Sequence, residues 1–459
     1  MEKKVRLKFR EHPVEYVLGL FGEVRPGEAP TVLLLALNVF LLLTAYYLLK
    51  VAREPLILLG GGAAVKSYAA VGQAVLLIFV TSIYGWLSAR VGRVMLIAIV
   101  TLFFAANLAL FWLLGSRGVP LGIPFFLWVG VFNTVTIAQF WSFAADTYSD
   151  EQGKRLFPII GIGSSIGAVG GATIARPLVR VGSPFLLMLV AAAILVSTLG
   201  LTYLINRREV GSDSKDAPKP KDEPLAHDNA FLLILRDRYL LLFAILILVL
   251  NIVTKTGDYV LDRMLLTGAP AAAHAMGLTE AAYIGDFKAR YFEWINSAGV
   301  ILQLFAVSRI IKYAGLRAAL VLVPLSSLAG YGAALAAPLI GVLFVGRIAE
   351  STLDYSLSNT SRQALWLKTS REAKYKAKQV IDTFVMRAGD SLSAGLVWFG
   401  TRAALSPRAF LAVNVALCVA WTGLAVVLGR MYAQRREASP EGPAPAAGLD
   451  PSRPKLAPA

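Results

Sequence analysis

Residues 31–66 read TVLLLALNVFLLLTAYYLLKVAREPLILLGGGAAVK, and the fold class follows from this stretch. Thr31 to Leu49 is an apolar run long enough to cross hydrocarbon as a helix. Lys50, Arg53 and Glu54 then fall inside a run that stays apolar to Leu59. A charge at membrane depth is costly, so it faces a partner or a water-filled cavity. Two readings are open. Lys50 and Arg53 snorkel to the interface, or they form a cationic floor for an anionic ligand. Pro55 lacks a backbone donor and is expected to end or bend the helix, and Gly60, Gly61 and Gly62 follow it.

The rest of the chain sets the context. It has 459 residues, 56% of them hydrophobic, and a mean hydropathy of +0.63, which implies a polytopic membrane protein. The net charge of +16 sits in loops between apolar spans. There it reports topology and contact with anionic lipid rather than nucleic acid. The single cysteine, Cys418, excludes an intramolecular disulfide and a multi-cysteine metal site. His12, His227 and His274 are scattered, no nucleophile–base set stands out, and neither metal nor cofactor is expected. The first 30 residues are too charged for a signal peptide, and Glu11 to Phe21 has the make-up of a short interfacial helix.

Apolar runs of spanning length recur near 31–51, 67–88, 93–115, 121–144, 157–179 and 184–205. A second set lies near 239–261, 291–311, 317–335, 337–359, 379–403 and 408–432. The expected fold is an all-α polytopic membrane protein of twelve transmembrane helices in two six-helix halves. The segments are 1–30, an N-terminal segment; 31–205, the first half; 206–238, a linker that is polar and Pro-rich from Asn206 to Asn229; 239–433, the second half; and 434–459, a disordered tail. Roughly two-thirds of the 45 Lys and Arg fall in alternate loops, the linker and the termini, so both termini are expected in the cytoplasm, at the inner membrane. Gly85-Trp86-Leu87-Ser88-Ala89-Arg90-Val91-Gly92-Arg93 resembles the loop signature of major facilitators, with Ala89 where an Asp is usual. Lys312 to Arg317 is a weaker echo in the second half.

Charged and polar residues inside the spans are the candidate functional groups. Asn133, Thr136 and Gln139 share a helical face and mark a helix contact or a cavity; Asp146 extends that series. Gly161 to Gly171 lies within an apolar span, so it reads as helix packing and not as a phosphate-binding loop. Asn251, Thr254, Lys255 and Asp258 share a face, and Lys255 and Asp258 are spaced to pair. Arg347, Glu350 and Asp354 line one face of the tenth span and suit a gating network or a wet interior. Six cations between Arg362 and Lys378 make a positive patch, which serves topology and lipid headgroups or recruits an anion.

Three stretches resemble the nucleotide transporter family, the ATP/ADP translocases of plastids and intracellular bacteria. They are Leu49 to Glu54, Phe140 to Gly163, and Lys374 to Asp382 continuing to Gly389 and Ser391. The chain carries Arg53 where that family usually has Lys, Thr254 where it has an acid, Asp258 near a family lysine, and Asp390 where it has Lys. The resemblance implies a non-enzymatic antiporter of nucleotides such as ATP and ADP, with no cofactor. Lys50, Arg53, Asp146, Lys255, Asp258 and Arg387 would bind substrate. Glu54, Arg347, Glu350, Asp354 and Asp382 would gate or couple. Lys374, Lys376 and Lys378 would form a cationic cytoplasmic mouth. Tyr47, Trp141, Tyr259 and Trp294 are candidates to stack on a base. The partners expected are a nucleotide or other anionic small molecule and a bilayer with anionic lipids, with the chain a monomer. Two other readings remain: a proton-coupled major facilitator exporter of another anion, with Glu350 or Asp354 titrating, and a non-transporting scaffold or lipid-handling protein.

Overall fold

The computed structural model describes residues 27–210, 230–370 and 373–435, together with Leu18 and residues 23–25. The proposed interfacial helix, the middle of the linker and the tail beyond Arg435 lie outside the described residues, apart from Leu18. Every regular element described is a helix: α1 (Ala29–Ser88), α2 (Arg93–Ser116), α3 (Gly122–Thr147), α4 (Asp150–Val181), α5 (Pro184–Val210), α6 (Arg238–Ala275), α7 (Glu280–Phe305), α8 (Val307–Tyr313), α9 (Gly315–Ala336), α10 (Ile340–Leu353), α11 (Met386–Arg402) and α12 (Pro407–Gln434), with a short helix at Ala230–Arg236. Helix reaches to Val210 on one side of the expected linker segment and resumes at Ala230 on the other.

α1 has 60 residues, about 90 Å of helix at 1.5 Å per residue, enough for two crossings. It breaks at Gly62, with φ +81° and ψ 172°, a conformation open to a residue without Cβ. Pro55, the expected breaker, sits inside the helix. The chain turns one helical stretch later than its proline suggests, where glycine permits it. Eight helices are long and apolar enough to span: α1 to α6, α9 and α12; α7 with α8, bent by 45°, make a ninth. The second limb of α1 is a tenth crossing. α10 and α11 complete twelve: α10 runs on through a π-helical turn at Asp354–Ser358 into Asn359–Leu365, and α11 is preceded by helical turns at Ala373–Ala377, Lys378–Val380 and Ile381–Val385.

Local sequence explains the starts of several helices. α4 opens on a capping box, with Ser149 Oγ accepting from Gln152 N at 3.4 Å and Gln152 Oε1 accepting from Ser149 N at 3.1 Å. Thr279 caps α7, and Asp237 caps α6 while holding Arg435 at 2.5 Å. The glycine run of α4 does pack helix on helix. A Cβ at Gly163, Gly167 or Gly171 would lie 2.4, 2.4 or 2.6 Å from the carbonyl oxygens of Ala36, Phe40 and Thr44 on α1.

Of the two readings open for the polar face of α3, the structure gives the helix contact. Thr136 and Gln139 line a niche of about 20 Å³ with Asn38, Thr101, Thr198 and Thr202, closed by Asn38 donating to Thr202 at 3.1 Å. Such a space is on the scale of one water. This face is a contact among α1, α2, α3 and α5, not part of a larger cavity.

Polar bridges between α1–α5 and α6–α12 gather at one end. Tyr47 donates to Asn296 at 2.9 Å, Lys66 meets Asp262 at 2.7 Å, and Arg176 and Arg180 meet the fully buried Asp286 at 3.1 and 2.6 Å. Asp262 lies 24 residues along α6, about 36 Å from its start. At the other end the ion pairs between described residues stay within one set: Arg155–Glu28 at 2.9 Å, Arg93–Asp146 at 3.9 Å and Arg362–Asp354 at 3.7 Å.

Candidate functional site

A cavity of about 300 Å³ lies between the two helix sets. α1 supplies Lys50, Arg53 and Glu54 from the limb before Gly62 and Lys66 from the limb after it. α6 supplies Thr254, Lys255, Asp258 and Asp262, α7 Lys288, α10 Arg347, and α11 Arg387 and Asp390. Neither Lys50 nor Arg53 snorkels away; both face this space.

Most of the charge is compensated locally. Glu54 accepts from Arg53 Nη2 at 2.7 Å and from Lys66 Nζ at 2.5 Å, with Lys288 Nζ at 3.7 Å. Lys66 also holds Asp262, and Lys288 pairs with the other oxygen of that carboxylate. This cluster ties both limbs of α1 to α6 and α7. Further along the cavity, Arg347, only 1% exposed, spans Asp258 at 2.6 Å and Glu350 at 2.5 Å, and donates to Tyr331 Oη at 3.0 Å. The approach depends on Gly257, where a Cβ would sit 1.9 Å from that Tyr331 oxygen. Arg387 pairs with Asp390 at 3.2 Å.

Two cations remain. Among the described residues Lys50 and Lys255 have no carboxylate within ion-pair distance. Lys50 Nζ instead lies over aromatic faces, 4.2 Å from the Phe292 centroid and 5.0 Å from that of Tyr47. Arg53 stacks on Phe126 at 4.6 Å. Tyr46, Tyr259, Tyr291 and Tyr355 complete an aromatic wall. The site presents cationic donors beside π faces, chemistry that fits an anionic group joined to a flat ring system.

The structure sorts the sequence candidates. Lys50, Arg53, Lys255, Asp258 and Arg387 meet at the cavity with Glu54 and Arg347. The expected Lys255–Asp258 pair does not form: Arg347 reaches across from α10, and its fork takes Asp258 and Glu350 together. Thr254 donates to Glu350 at 3.2 Å. Asp146 is elsewhere, well exposed at the far end of α3 and facing Arg93. Asp354 pairs with Arg362, Asp382 is exposed outside the cavity, and Lys378 donates to Gln363 at 2.8 Å. Lys376 does not line the cavity, and the side chain of Lys374 lies outside the described residues. Tyr47 and Tyr259 line the cavity, whereas Trp294 is exposed and Trp141 packs on Phe140 and Phe157.

Sequence reading missed Asp262, Lys288, Tyr291 and Asn296 as site residues. Asp286, Lys288, Arg290 and Glu293 make the start of α7 look like a loop, so the eighth span was expected from residue 291. The available signal was Thr279-Glu280, a helix cap followed by an acid in the first turn. Asp262 lay just past the expected end of the seventh span.

No family profile matches the sequence, and no curated protein matches it. Solved structures do match in fold. A bacterial homologue of the human lysosomal transporter Spinster, inward-facing and unoccupied, aligns at TM-score 0.58 with 14% identity, covering 91% of this chain and 100% of its own. The nucleoside transporter NupG aligns at 0.57 with 12% identity, covering 88% and 98%. A POT family transporter in complex with 5-aminolevulinic acid aligns at 0.62 with 14% identity, covering 87% and 96%. These neighbours are transporters and not enzymes. The chain shares the all-helical fold of these transporters.

Proposed function

We propose that the protein is a secondary transporter that exchanges phosphorylated nucleotides across the inner membrane by alternating access. Residues 31–205 and 239–433 act as its two moving halves. One observation carries this reading: Lys50 and Lys255 face a shared, aromatic-walled cavity without carboxylate partners, while the cations around them are paired. An incoming phosphate supplies the missing counter-charge, and Tyr or Phe rings supply a surface for the base. The resemblance of Leu49–Glu54, Phe140–Gly163 and Lys374–Asp382 to nucleotide transporters points the same way, as does a fold shared with a nucleoside transporter.

The geometry supports a route for the cycle. The Glu54–Lys66–Asp262–Lys288 cluster and the Arg176–Asp286–Arg180 bridges hold the halves together at the end remote from the starts of α1 and α6. With both termini cytoplasmic, this conformation is closed to the outside. Opening outward requires those pairs to part and others to form at the cytoplasmic end. Glu350 and Asp354, the acids a proton-coupled exporter would use, are each engaged by arginine, so exchange is favoured. A scaffold with every charge in a fixed pair would leave no Lys50 and Lys255 facing a cavity.

Reconstitution in proteoliposomes tests the proposal. Labelled ATP, ADP and AMP are offered with and without internal unlabelled nucleotide, beside labelled adenosine and with an uncoupler. Uptake of a phosphorylated nucleotide that needs internal counter-substrate and ignores the uncoupler is the expected result. Uptake of none of them refutes it.

A further inference from the structure

Resting on the nucleotide-exchange reading and narrowing it, we propose that the species held in this cavity carries two net negative charges and is a nucleoside monophosphate, not a free di- or triphosphate. The charge inventory carries this. Seven cations line the cavity: Lys50, Arg53, Lys66, Lys255, Lys288, Arg347 and Arg387. Four carboxylates line it, Glu54, Asp258, Asp262 and Asp390. Glu350, held on Arg347, is the fifth to compensate them. Seven less five leaves two positive charges. Two lysines without carboxylate partners, Lys50 and Lys255, account for the same excess. Exchange of partners inside the cluster redistributes that charge but leaves the sum unchanged.

A cavity that closes during transport strips water from whatever charge is left uncompensated, and burying an unpaired charge is unfavourable. A phosphate monoester brings about −2 above its second pKa near 6 and leaves the closed cavity near neutral. Free diphosphates and triphosphates bring more charge than the site neutralises; a nucleoside brings none. The same sum makes exchange obligatory: the empty cavity closes around two bare cations, so the unloaded carrier is held back and the loaded one passes. A volume of about 300 Å³ stands at the lower end of ligand-site volumes, roughly 300–1,000 Å³, and suits the compact monophosphate. The chain's own departures from the resembling family act in the same direction. Asp390 stands where that family has Lys, and its carboxylate neutralises Arg387.

The test is a valence series. Proteoliposomes loaded with unlabelled AMP take up labelled AMP at pH 8 in EDTA. Adenosine, singly charged 3′,5′-cyclic AMP, AMP, ADP and ATP compete from outside. Wild type is expected to favour AMP over the others by at least tenfold. Lys255→Gln removes one positive charge from a side chain without a hydrogen-bond partner and should move the optimum toward cyclic AMP. Asp390→Asn frees Arg387 and should move it toward ADP. Opposite shifts from two variants report charge and not damage; if Asp390→Asn fails to fold, the Lys255→Gln shift decides alone. An order led by ATP or ADP and untouched by either substitution overturns the dianion proposal and leaves nucleotide exchange standing. Uptake of no nucleotide removes both. An added arm with Mg²⁺ separates the two dianions: Mg-ATP displacing AMP as best competitor overturns the monophosphate assignment.

Discussion

Asp262→Asn is the sharpest perturbation of the cluster that joins the halves. Asp262 is 1% exposed and holds Lys66 Nζ at 2.7 Å and Lys288 Nζ on its other oxygen. With Arg53, Glu54, Lys66 and Lys288 it forms a group of three cations and two acids; the amide leaves three cations on one acid. Breaking a buried pair by removing one partner costs about 3–5 kcal/mol. Glu54 stays on both lysines, at 2.5 and 3.7 Å, so the low end, about 3 kcal/mol, applies. That penalty falls on the conformation drawn together here, because in the opened one both lysines are hydrated. The equilibrium between them should shift by about 100-fold. Ser67 lines the cavity, and a Ser67→Cys reporter reads the change through a membrane-impermeant maleimide added from the side where α1 turns; the native Cys418 is buried and stays silent. Labelling should quicken by about two orders of magnitude in Asp262→Asn. Adding Lys66→Gln restores the original net charge of the cluster and should return most of the rate. Equal labelling of wild type and Asp262→Asn, or a double variant as fast as the single, would show that this cluster does not hold the halves together.

Lys50→Gln should weaken nucleotide binding roughly 10- to 100-fold, the loss of a charge-assisted hydrogen bond of about 1.5–3 kcal/mol; Lys50→Arg should recover part of it, and titration calorimetry distinguishes them. Gly167→Val should abolish a monodisperse peak in detergent chromatography, since its Cβ meets the Phe40 carbonyl at 2.4 Å, while Gly161→Ala, with open space at that position, should not. Burial pushes the Glu28 carboxyl up, but hydrogen bonds from the Arg155 side chain, the Arg25 backbone and Gln152 outweigh it, and the folded-state value lies below the ordinary 4.5. Its stabilisation is therefore complete above pH 4.5 and is lost as pH falls through the lowered value; melting curves of Glu28→Gln should show a shallower acid slope than wild type. Tags at Ser214 and Ala272 should be accessible from opposite sides of the membrane, and reaction of both from one side would contradict the topology.

The amino-acid sequence by itself determined the class of protein and much of the cavity. Hydropathy runs dictate spanning helices, because a backbone in hydrocarbon must satisfy its own hydrogen bonds. Lys50, Arg53 and Glu54 stood out because charges in an apolar run need a partner or a cavity, and both are present. The glycines of α4 announced close packing through their spacing within an apolar span. What the sequence left undecided was partnership. Lys255 and Asp258 have the spacing of a pair along α6, yet Arg347 claims Asp258 from another helix, because its fork holds Glu350 as well. Asp146 continues a polar face on α3, yet the helix carries it past the cavity to Arg93. Asp286, Lys288 and Arg290 hid the start of α7, since so charged a segment joins a membrane span only when other helices neutralise it. Arg176 and Arg180 on α4 and Glu54 on α1 do so across the seam between the halves, and Asp262 on α6 holds Lys288. Local periodicity cannot register such compensation. It arises only when α1, α4, α6 and α7 are brought side by side, and the two lysines it leaves over give the cavity its charge.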